Sequence, residues 1–60
     1  MNQDKLRDAI KMAFREEVIA AHQEYDAVAK RDHQEAADCH RRRRQALNRA
    51  GALMDRLFAS

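Results

Sequence analysis

The sequence predicts an all-α protein: an antiparallel two-helix hairpin that assembles with a second copy into a homodimeric helical bundle. Three observations predict it. The 60-residue chain is built largely from Ala, Arg, Glu, Gln, Lys, Leu and Met, with no Pro and one Gly, Gly51, and these are strong helix formers. Apolar residues recur at helical spacing in two separate blocks. Between the blocks the register breaks, and there Asp32 followed by Glu35 has the pattern of a capping box, which marks a helix start.

In the first block Ile10, Phe14, Val18, Ala21, Tyr25 and Val28 follow steps of four and three, and Leu6 extends the stripe. Such spacing places them on one helix face, so a helix is expected over about 3–29. In the second block Ala36, His40, Arg43, Leu47, Ala50, Met54 and Leu57 follow the same steps, widened by Ala46, Leu53 and Phe58. This predicts a second helix over about 33–58, with the turn at about 30–32. Eight residues separate Val28 from Ala36, where an unbroken heptad requires seven. Lys30 and Arg31 then close the first helix, where positive charge is favourable. No Gly or Pro marks the turn, so one long helix with a skip in its seam is the competing reading. Folding about position 31 brings Leu6 and Ile10 to Leu53 and Leu57, Phe14 to Leu47, and Tyr25 to Ala36 and Ala37. Val18 and Ala21 then stand beside Arg43 and His40.

A single domain of this size buries too little surface to be secure alone. Twelve of its 27 apolar residues are Ala, and the lone Cys39 leaves no disulfide to help. Oligomerisation is the expected source of further burial. The expected oligomer interface is Leu6, Ile10, Phe14, Val18, Tyr25 and Val28 from the first helix, with Leu47, Leu53, Met54 and Leu57 from the second.

Charge is unevenly spread. The net charge is +2; residues 1–31 sum to zero, and residues 32–60 carry six Arg against four acids. Arg41 to Arg44 fan around a full helical turn, whereas Arg42, Arg49 and Arg56 recur every seven residues and share a stripe. Guanidinium groups pair well with phosphate and carboxylate oxygens. Arg41, Arg42, Arg44, Arg49 and Arg56 are therefore the expected contacts for RNA, DNA or an acidic protein partner. Glu16, Glu17 and Glu24 stand opposite in a hairpin and can pair some of these arginines, leaving the rest a solvated face.

Other chemistry is expected to be absent. His22, Cys39 and His40 come near one another in the hairpin, but adjacent residues point about 100° apart on a helix and no CxxC or HxxxH spacing occurs, so no metal site is expected. Catalysis and cofactors have no motif: there is no Gly-rich phosphate loop, and Ser60 is the only hydroxyl nucleophile of the Ser/Thr type. No apolar run approaches the ~20 residues of a membrane span, although a basic amphipathic helix lying on a membrane surface is a minor alternative. The opening residues lack a signal peptide's apolar segment, and a single Cys suits a reducing compartment, so a cytoplasmic location is expected.

In length, in the glycine-free turn and in the acidic cap after it, the chain is similar to small plasmid-borne RNA-binding hairpins that dimerise into four-helix bundles. The likeness is one of architecture, which does not carry function. Those hairpins bind RNA through the first helix, while the basic surplus here lies in the second. Two functional readings follow: a dimeric regulator touching a negatively charged partner through its arginine row, or an adaptor or inhibitor that docks its apolar face and basic row on another protein.

Overall fold

The computed structural model describes residues 3–59. Two α-helices, α1 (Gln3–Ala29) and α2 (His33–Ala59), fold back on each other as a hairpin. The rod they form measures 44 × 13 × 12 Å.

The turn that reverses the chain contains almost no linker. Asp32 N–H donates to Ala27 C=O at 2.9 Å, and Arg31 N–H donates to Val28 C=O at 3.0 Å. These are the two bonds of a Schellman motif, which satisfies the last carbonyls of a helix. Its C′ position requires a left-handed backbone, and Arg31 supplies it with φ of 59°. Glycine usually fills this position because it has no Cβ to clash. Asp32 then serves at once as the end of this motif and as the N-cap of α2. Its Oδ1 accepts the Glu35 N–H at 3.1 Å, and its carbonyl accepts the Ala36 N–H at 2.9 Å. The reciprocal half of the capping box is not formed: the Glu35 carboxylate accepts from Cys39 Sγ and Arg42 Nη2 instead.

The helices meet along a seam of small side chains. In α1 the buried residues are Leu6, Ala13, Ala20 and Ala27, one every seventh position. In α2 they are Cys39, Ala46 and Ala50, with Leu53 half-buried beside them. Alanines at the crossing let two helix axes approach to the short end of the usual 8–10 Å range. The stripe of large residues expected to form this seam is displaced from it. Phe14, Val18, Tyr25 and Val28 are 42%, 50%, 75% and 60% exposed. The seam lies one residue earlier, at 13, 20 and 27 rather than 14, 21 and 28. The inner layer also differs: Arg43 and His40 reach Glu24 rather than standing against Val18 and Ala21.

The close seam sets the geometry of everything else. With the alanines turned inward, each flanking residue sits about 100° around the helix and points along one of two open faces.

Candidate interaction faces

One face, here called the front, is apolar. At the end holding the termini it has a shallow cleft lined from both helices by Ile10, Phe14, Met54, Leu57 and Phe58, with Arg7 and Lys11 beside them. Leu47, Val18, Tyr25 and Val28 continue the face toward the turn. Leu47 is 42% exposed and Phe58 77% exposed. Exposed apolar residues gathered on one face mark an interface with some partner.

A charged cluster interrupts the front face at mid-length. Glu24 Oε1 lies 3.2 Å from Arg43 Nη1, an ion-pair distance without hydrogen-bond alignment, and Glu24 Oε2 lies 3.3 Å from His40 Nδ1. Glu24 and Arg43 are half-buried. Arg43 Nε is buried and finds no hydrogen-bond partner among the described residues.

The opposite face, the back, carries the arginine row. Arg49 donates to Glu16 Oε2 across the two helices. Arg42 Nη2 lies 3.2 Å from Glu35 Oε1 and 3.0 Å from Cys39 Sγ. Arg41, at the outer edge, pairs with Asp38 at 3.3 Å. The heptad carries the row on to Arg56. Arg44 is not part of this row; it lines a cleft with His40, Arg43 and Leu47 on the other side of α2. Among the described residues neither Arg44 nor Arg56 forms an ion pair. Thus three of the five arginines singled out in the sequence hold carboxylates of the hairpin itself. Two of the acids expected opposite them, Glu16 and Glu24, make cross-helix pairs, and Glu24 takes Arg43 rather than a member of the row.

The remaining interface candidates divide between positions. Leu6, 3% exposed, lies inside the seam, while Ile10, Leu53, Met54 and Leu57 are half-buried. Met12 and Ile19, 55% and 49% exposed, belong to the back and were not singled out in the sequence. They fall outside the main stripe, and only the position of the alanine seam shows where they point.

Cys39 is fully buried in the seam. Burial pushes its thiol above the usual value of 9.0; the hydrogen bond it donates to Glu35 acts in the same direction, and Arg42 opposes both. Such a thiol stays protonated and unreactive. No group of three or more His, Cys, Asp or Glu is placed to hold a metal ion among the described residues. Ser60 lies outside them. No described helix is long and apolar enough to cross a membrane. No protein-family model, curated protein or solved structure matches the chain.

Proposed function

We propose that the chain is a small non-enzymatic interaction protein, a regulator or adaptor that works as a homodimer. The front face pairs with a second copy, and the arginine row on the back contacts an acidic surface of another protein. The observation that carries this reading is an uneven distribution: exposed Phe14, Val18, Tyr25, Leu47 and Phe58 gather on one face, while Arg42 and Arg49 lie on the other with the smaller apolar pair Met12 and Ile19. Covering the first face leaves the second open.

A protein partner fits the row better than a phosphate backbone. Nucleic-acid affinity scales with the number of phosphates neutralised. Here Arg41, Arg42 and Arg49 already hold Asp38, Glu35 and Glu16, and the chain's net charge is only +2. The row therefore presents alternating charges, which suit a protein surface of matched pattern. The lone, buried Cys39 is compatible with a reducing, cytoplasmic setting.

The test compares the parent with an Arg42→Gln/Arg49→Gln variant, by anisotropy of a labelled oligo-glutamate peptide and of a generic duplex RNA at low and moderate salt. The expected result is peptide binding that weakens several-fold in the variant. Tighter RNA binding with a steep salt dependence reassigns the row to nucleic acid. Equal binding by parent and variant shows the row to be a solvated face.

A further inference from the structure

We infer that the two copies pack front to front with their turns at the same end, related by a two-fold axis along the rod, so that α1 of each lies against α2 of the other. This rests on the self-association proposed above and adds its topology.

A standard interface takes roughly 800 Å² from each partner, about one sixth of the 4742 Å² surface of the hairpin. One long face of a 44 by 13 Å rod is of that order. Closed symmetric pairing of one patch with itself has two solutions for a flat-faced rod. A two-fold along the rod sets α1 against the copy's α2 at equal heights. A two-fold across the rod sets α1 on α1 and α2 on α2, with the turns at opposite ends.

The charged cluster distinguishes them. Covering the front face removes that cluster from water, and a desolvated charge without a partner costs several kcal/mol. The acids of the face are on α1: Glu24, and the half-buried Glu17, which forms no ion pair among the described residues. The bases beside them at mid-length are on α2: His40, Arg43 and, at the edge, Arg44, while Arg7 and Lys11 of α1 flank the cleft at the end holding the termini. From Cys39 to Met54, α2 contains no acid at all.

With the axis along the rod, acids meet bases. Glu17 stands 14 residues from Arg31 and Arg43 stands 12, so Glu17 and Arg43 of the second copy differ in height by ~3 Å at 1.5 Å per residue. Glu24 and the copy's His40 differ by the same amount. The apolar layers match as well: Phe14 with the copy's Leu47, Ile10 with its Met54, and Tyr25 with its Ala36 all fall within ~3 Å of height. With the axis across the rod, Glu17 falls within ~3 Å of its own copy, a like-charge contact, by the same rise. Arg43 and His40 then face a stretch of α2 that offers no carboxylate. That arrangement gives Glu24 the copy's Arg7, but Glu24 already holds Arg43 and His40.

Lysine cross-linking of the unmodified protein separates the two. The lysines are Lys5, Lys11 and Lys30. Within one hairpin Lys30 lies about 38 Å from Lys5 and about 28 Å from Lys11 along α1, beyond a short amine-reactive cross-linker. The expected product is a Lys30–Lys30 link, which only two copies can form. A dominant Lys30–Lys5 or Lys30–Lys11 link overturns the same-end topology while leaving self-association intact. Absence of any link between copies, with a monomer in sedimentation at the same concentration, overturns both. As a second reading, Glu17→Gln weakens the dimer about tenfold in the same-end arrangement and strengthens it in the other.

Discussion

The seam and the front face are built from the same two helices, yet they use opposite kinds of side chain. The seam is Ala13, Ala20, Ala27, Ala46 and Ala50 around a fully buried Cys39. The front face holds Phe14, Leu47, Met54 and Phe58, much larger groups left partly in water, from the half-buried Met54 to the mostly exposed Phe58. Apolar stabilisation scales with buried area, at roughly 25 cal/mol per Å², so an alanine seam gives a single hairpin little. The area that could stabilise the fold strongly lies outside it. The difference teaches that here small residues decide how close the helices come, and large ones are left on an open face suited to some partner.

The largest effect is expected in the seam. Ala20→Leu places three extra carbons where two helices touch, and overpacking of this kind costs about 1–3 kcal/mol or more. In a hairpin this small, circular dichroism should show loss of much of the helix at room temperature. A variant with parental helicity and melting temperature would show that the seam is looser than described.

A smaller effect is expected at the turn, which orients both faces at once. Asp32→Ala removes the side-chain acceptor of the Glu35 N–H and should destabilise by about 1 kcal/mol. Arg31→Gly relieves a non-glycine residue of its left-handed φ of 59° and should stabilise by about 0.5–1 kcal/mol, net of the entropy glycine loses on folding. Chemical denaturation of the two variants measures both signs. If Arg31→Gly destabilises, the Schellman geometry is not what closes α1.

These regions were not equally legible in the sequence. The hairpin could be read from the skipped register and from Asp32, because a cap is a local signal that acts within one turn of chain. The positive φ at Arg31 could not be read, since no Gly or Asn stands there to announce it. Folding about position 31 placed Glu16 and Glu24 near the arginines, because antiparallel height depends only on counting. Leu6, Ala46 and Ala50 of the expected stripes do lie in the seam, but along the rest of α1 the seam was misplaced by one residue because apolar size was taken as the sign of the inner face. Alanine has equal claim to a close crossing, and its heptad at 13, 20 and 27 was present in the sequence, adjacent to the bulkier stripe at 14, 21 and 28. The pairing of Arg42 with Glu35 and of Arg41 with Asp38 follows i, i+7 and i, i+3 spacing within α2 and lowers the value of the basic row as a phosphate track.

The central claim is that the front face is covered by a second copy, and sedimentation equilibrium of the parent and a Phe14→Ala variant tests it most directly. Phe14 is 42% exposed in the single hairpin, so its truncation removes some burial within the hairpin, read by circular dichroism, and weakens association by about a further 2 kcal/mol, or roughly 30-fold in Kd. The expected result is a dimer for the parent at tens of micromolar, with the variant shifted toward monomer. A parent that remains a compact, fully helical monomer across that range, indistinguishable from Phe14→Ala, would contradict the account.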